Sequence, residues 1–220
     1  MKNYHIDHAD HEQEELQLIG TKGNYNLWRV YFDVQEDVEK RITEEKTFIK
    51  YVEEEGMDGE MIMVPREVTE TVVTKFFTSK YVERLMHKDN EPIPLEIIRD
   101  QVLMEITEYD TKSNVNSFKL GGQDVWLDKD TRVGLMNSTT IQKAAGQNNS
   151  TLWLGTMSIT LPCDKIIQIL GTIELYALEC YNKTAEHKKK VGEMTTIKEL
   201  FEYDYTQGYP KKLEIPYELV

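Results

Sequence analysis

Two cysteines and five histidines are the side chains from which thiol or imidazole chemistry has to start in this 220-residue sequence. His5, His8 and His11 follow one another at three-residue steps, beside Asp7 and Asp10. On a helix that spacing puts all three imidazoles on one broad face, a candidate site for a divalent metal. The surrounding stretch, MKNYHIDHADHEQEE, is polar and acidic and reads as a loose terminus. A metal centre needs ligands fixed by an outer shell of hydrogen bonds, which a loose end lacks. The expected role of this stretch is therefore an exposed polar end, with no metal and no cofactor.

Cys180 and His187 are the closest thiol–imidazole pair. Seven residues are two helical turns, about 10 Å, too far for a nucleophile and its base. A buried structural cysteine is the expected role. Cys163 and Cys180, if they share one helix, lie about 25 Å apart. A disulfide needs Cα atoms within about 7 Å, so free thiols are expected, which suits a reducing compartment.

Paired carboxylates such as Asp128/Asp130 and the run Glu53-Glu54-Glu55 carry the residue types of a glycosidase. Spacing in sequence does not set the carboxyl separation that such chemistry needs. With 39 acidic residues, chance pairs are the rule and a solvated surface is the default. Trp126 and Trp153 have the rings to stack on a sugar, but large aromatic side chains are more commonly core anchors. Arg132, close after Trp126, has the chemistry to stack on that ring or to bind a carboxylate, and the expected role of Trp126, Arg132 and Trp153 is structural. There is no P-loop, no Gly-x-Gly-x-x-Gly, no Cys-x-x-Cys, no His-Glu-x-x-His and no Gly-x-Ser-x-Gly. The sequence thus predicts no enzyme and no catalytic residues.

The elements that must position these side chains begin with composition. Hydrophobic residues at 40% supply a core, and the formal net charge is -13. That field repels a phosphate backbone, so nucleic acid is not an expected partner. The one basic triple, Lys188-Lys189-Lys190, fits the C-terminal end of a helix. No 18-residue apolar stretch is present, so no membrane partner is expected. The first residues have no apolar core, and a signal peptide is not expected.

The first half reads as β-rich. Gly20–Asn26 is a turn, 27–34 a strand, 35–45 a charged connection or hairpin tip, and 47–52 a second strand paired antiparallel with the first. Gly56-Met57-Asp58-Gly59 turns the chain, Met61–Val64 stops at Pro65, and 68–77 has strand composition. Thr78-Ser79 is set to cap a short helix over 80–88. Pro94 opens a helix over 95–109. A soft domain boundary falls in the polar connector 110–116, giving regions 1–112 and 113–220.

The second half reads as hairpin, helix, hairpin, long helix. Gly121-Gly122 supplies the positive φ angles of a tight hairpin, Asp128 or Asp130 starts a helix closed by Gly146, and a second hairpin turns near Gly155-Thr156. A long helix then runs over 162–191, about 45 Å. Ile166, Ile169, Leu170, Ile173, Ala177 and Tyr181 lie along its apolar stripe, and Ile167, Leu175 and Leu178 widen it beyond what a lone surface helix needs. That excess marks the stripe as a subunit seam and the chain as a homo-oligomer. The tyrosine-rich tail, with Tyr205 and Tyr209, is expected to be extended, packed by its aromatics, and able to reach a neighbour. The fold class is α+β: small antiparallel hairpins packed on helices, with one long C-terminal helix.

The segments YDTKSNVNSFKLGG, VWLDKDTRVGLMNS, LWLGTMSITLP, IIQILGTIELYALECYNKTAEHK and YDYTQGYPKKLEI, in that order, resemble a domain of unknown function from bacteriophages and prophages of gut bacteria, encoded near tail-fibre or baseplate genes. The resemblance covers about 109–215. It implies a virion or tail-assembly protein that meets other tail or fibre proteins, assembled in the host cytoplasm and carried in the virion tail. An assembly factor that binds a fibre and leaves is the alternative, and a glycan-cleaving tail enzyme is the third. The resemblance brings no catalytic residues with it.

Overall fold

The computed structural model describes residues 3–55, 60–111, 113–154 and 157–216. The chain divides into two compact units, one of 3–94 and one built from 95–220.

The first unit is made of strands. Its four-stranded antiparallel sheet has the order β1 (His5–Ala9), β6 (Phe77–His87), β3 (Tyr25–Glu36), β2 (Leu16–Lys22). Gly23, with φ of 59°, lets β2 turn directly into β3. The aromatic and β-branched run Leu27–Phe32 suits a central strand. Val30 sits opposite Val82 and both are buried, while Tyr31 opposes Tyr81 on the other face. The β3–β6 register shifts between Phe32 and Gln35, where Asp33 takes φ of 51° and its carboxylate pairs with Lys80.

Beyond that bulge the same two chain directions continue as a separate ribbon, β4 (Ile42–Glu55) and β5 (Met61–Thr74). A one-turn 3-10 segment, Val38–Lys40, makes the step. The Asp37 amide donates to the Phe76 carbonyl, and Glu36 pairs with both Arg41 and Lys75. One hairpin is thus nested in another, β4–β5 inside β3–β6.

Several expectations change here. Residues 5–9 are not loose, because they form β1, hydrogen-bonded to β6, and the Glu15 carbonyl accepts from the Tyr31 amide. The pairing of 27–34 with 47–52 is replaced by β3–β6 and β4–β5, and only β2–β3 and β4–β5 join strands that follow one another in the chain of this unit. Residues 80–87 form strand, not helix. Tyr81, Val82 and Leu85 fit a helical spacing in a short window, but a strand with hydrogen-bonded neighbours on both sides prevails. Pro65 does not stop its strand; the register runs unbroken through Tyr51 and Pro65. In a two-stranded ribbon each strand has an open edge, where a missing N–H breaks no ladder bond. The turn expected at 56–59 lies outside the described residues.

The second unit follows the expected order closely. After α1 (Pro94–Thr111) and α2 (Ser113–Asn116) come β7 (Phe118–Leu120) and β8 (Gln123–Val125). Gly121 and Gly122, with φ of 55° and 82°, make the hairpin turn. Asp128 caps α3 (Lys129–Ala144) by accepting from the Thr131 amide at 2.8 Å. The hairpin β9 (Asn149–Leu154) and β10 (Met157–Pro162) leads into α4 (Cys163–Glu193), the longest helix. Its turn, 155–156, lies outside the described residues. Thr196 and Glu199 form a capping box on α5 (Ile197–Glu202). The tail ends in β11 (Glu214–Ile215), which joins β7 in parallel, a departure from purely antiparallel hairpins.

The core of this unit is organised on α4. Ile169 and Ile173 meet Phe118, Leu120, Leu127 and Leu154. Ile166 and Leu170 meet Leu152, and Tyr176 and Cys180 meet Val115. Each fully buried aliphatic side chain contributes about 1.5–3 kcal/mol. The Tyr109 ring of α1 packs on Tyr205 and Tyr209 of the tail, and the Tyr205 hydroxyl donates to Glu105. These contacts explain why α1 groups with the second unit and why the boundary falls at 94/95 instead of 112/113. The α+β class holds, with hairpins on helices in the second unit and a strand-only first unit.

Candidate interaction surface

The three N-terminal histidines do not converge. On strand β1, successive side chains alternate, so His5 and His8 point to opposite faces. His5 stacks on Tyr81 at 5.1 Å, His8 Nδ1 lies 3.1 Å from Thr78 Oγ1, and His11 Nδ1 lies 3.0 Å from Asp10 Oδ1. The helical face that would have gathered them is absent. Among the described residues no three His, Cys, Asp or Glu side chains are placed to hold a metal.

The two tryptophans are not core anchors. Trp126 is 43% exposed and Trp153 is 65% exposed. Trp126 lines a groove of about 520 Å³ with Leu178, Tyr181, Asp110, Asp128 and Glu174. Arg132 Nε donates to Glu174 Oε2 at 2.7 Å and its Nη1 to the Leu127 carbonyl at 2.7 Å, tying the start of α3 to α4. The groove's carboxylates are each engaged within the chain. Asp110 accepts from Thr184 at 2.9 Å, Glu174 holds Arg132, and Asp128 caps α3. The hydroxyl and amide of Thr131 hold the Asp128 carboxyl below its usual range.

The expected seam on α4 is corrected by burial. Ile166, Ile169, Leu170, Ile173 and Ala177 are all buried inside the second unit. Packing against α3 and the two hairpins leaves these five residues no surface for a second subunit, whereas Leu175 and Leu178, which widen the stripe, stay 67% and 51% exposed. Tyr205 is buried, and Tyr209 is half-buried with its hydroxyl 3.0 Å from Thr184 Oγ1. Tyr181 stays 63% exposed, beside Leu178 on the groove wall. Cys163 and Cys180 are buried and unbridged. Burial and Asp110 nearby push the Cys180 thiol up to about 11, against the hydrogen bond with Tyr176. His187 is buried between Tyr203 and the Gln207 carbonyl, and desolvation lowers its pKa.

The exposed apolar surface that stands out is the β4–β5 ribbon. Its fourteen paired positions run without a bulge, and no third strand joins it among the described residues. Ile49 is 65%, Met61 62% and Phe48 41% exposed. A two-stranded hairpin uncovered on both sides is marginal in water.

The two faces of the ribbon differ in kind. On one, Phe48 opposes Val68 and Val52 opposes Val64, with Ile42, Val72 and Ile62 toward the ends. Its six charges close into three ion pairs: Lys46–Glu44, Lys50–Glu70 and Arg66–Glu54. The other face carries Ile49, Tyr51, Met61, Met63 and Val73 among Glu45, Glu53, Glu55 and Glu67. No lysine or arginine shares that face among the described residues. The aromatic and β-branched runs at 47–52 and 68–77 were the available signal for this element; the charged residues at 35–45 hid where it starts.

No family model, curated protein or solved structure matches the chain.

Proposed function

We propose that this chain is a non-enzymatic structural or adaptor component of a bacteriophage tail that works through protein–protein contacts. The β4–β5 ribbon carries the reading: large apolar side chains lie open along a two-stranded arm that gains stability when another chain covers it. The tail assignment is supported by the resemblance of 109–215 to the phage domain. The glutamate face fits a partner that presents lysine or arginine between apolar side chains, since unlike charge steers and orients such docking.

The test is mass spectrometry of gradient-purified particles from cells expressing the wild-type chain or the variant Glu53→Lys/Glu67→Lys. The adaptor reading expects the wild type to co-purify with the tail proteins at a fixed ratio and the variant to be lost from the particle. A chain abundant in the lysate but missing from particles would replace this reading with the fibre-assembly factor.

A further inference from the structure

We infer that the ion-paired face of the β4–β5 ribbon packs face to face against the same face of a second copy of this chain, making a four-stranded, two-layer sandwich. The inference rests on the proposed role of the ribbon as the contact element, and it assigns one occupant to one of its faces.

Charge decides which face can meet itself. Two glutamate faces brought together would oppose eight carboxylates, four from each copy, with no cation between them. The other face carries its acids and bases as closed pairs, so two copies meet with no net repulsion. Its central side chains, Phe48, Val68, Val52 and Val64, form directly opposed apolar pairs, the arrangement that fills the layer between two sheets. Burying ion pairs is ordinarily unfavourable. In a ribbon only two strands wide every residue lies at an edge, so the Lys50, Glu70 and Arg66 heads reach solvent while their stems cover apolar surface.

The area is consistent. Fourteen residues at about 3.3 Å each give a face about 46 Å long, and two strands make it about 10 Å wide. Counted on both copies this is about 920 Å², the size of a weak, transient interface. Association is therefore concentration-dependent. The outward glutamate faces repel a third layer, which holds the assembly at two copies.

Sedimentation equilibrium of the full chain over a hundredfold concentration range tests this. The wild type is expected to rise from 25.8 kDa toward twice that mass. Phe48→Glu/Val52→Glu should hold it at 25.8 kDa, whereas Ile49→Glu/Tyr51→Glu on the other face should leave the dimer intact. Lys50→Glu, which keeps the Phe48, Val52, Val64 and Val68 side chains but breaks the charge balance, should weaken the dimer at least tenfold with an unchanged circular dichroism spectrum. A wild type that stays at 25.8 kDa throughout, or a dimer dissociated by the Ile49/Tyr51 pair, overturns the inference. The adaptor reading fails on a different sample, by absence from particles, so the two failures are distinguishable.

Discussion

The Tyr205 hydroxyl donates to Glu105 Oε2 at 3.0 Å, joining residues a hundred positions apart in a buried hydrogen bond. It fastens the tyrosine-rich tail to α1, and Gln101 Nε2 donates to the other Glu105 oxygen at 3.2 Å. Burial, with the Glu105 carboxylate beside it, raises the pKa of the Tyr205 hydroxyl. Tyr205→Phe removes the donor while keeping the ring against Tyr109. The expected loss is about 1–3 kcal/mol, the range for a buried hydrogen bond and the group left unsatisfied, read as a lower urea midpoint at unchanged slope.

His187 predicts a pH dependence. Its Nε2 donates to the Gln207 carbonyl at 3.0 Å, so the neutral ring accepts from the Tyr203 hydroxyl at Nδ1, 2.6 Å away. Desolvation depresses the folded pKa below the ordinary 6.5. Below that value the unfolded chain takes up a proton that the folded chain refuses. This contribution to stability is therefore full above about pH 6.5 and is lost as pH falls through the folded pKa. Glu186, held at about 2 by Lys190 and Lys183, loses its contribution only in a more acidic window, below its ordinary 4.5. Thermal unfolding of wild type and His187→Gln between pH 7 and pH 5 checks this: the wild-type melting temperature should fall more steeply than the variant's.

The burial of the α4 stripe separates core from seam. Ile166 is fully buried beside Leu152 and Leu170. Ile166→Ala should cost about 2–5 kcal/mol as a cavity opens. It should leave the molar mass by light scattering unchanged at any concentration where the chain stays folded. A shift in molar mass without a loss of stability would return the stripe to the role of a seam.

The second unit was legible where local chemistry and long-range packing agree. Gly121-Gly122 makes the turn that its positive φ angles suit, Asp128 caps the helix that it precedes, and the period of Ile166, Ile169, Leu170 and Ile173 marks the face that α4 buries. The width of that stripe was visible, but which part is covered was not, because a helical period does not show that β7, β8, β9 and β10 bury Ile166–Ile173 while Leu175 and Leu178 stay exposed. The first unit was less legible. The 80–88 segment carries spacing that fits a helix, and only its neighbours β1 and β3 make it a strand. Trp126 and Trp153 were misjudged because residue size alone does not fix burial. The ribbon's strand runs 47–52 and 68–77 were legible, but their pairing with each other was not, since charged and apolar groups share both faces and leave no pattern that fixes a register.

Hydrogen exchange along β4 and β5 most directly tests the claim that the ribbon takes its cover from another chain. In dilute solution its amides should exchange much faster than those of β3 and β6, and protection should rise on the ribbon alone as concentration increases. Equal protection of ribbon and sheet in the dilute chain, unchanged on concentration, would contradict the account, because the ribbon would then be stable without a partner.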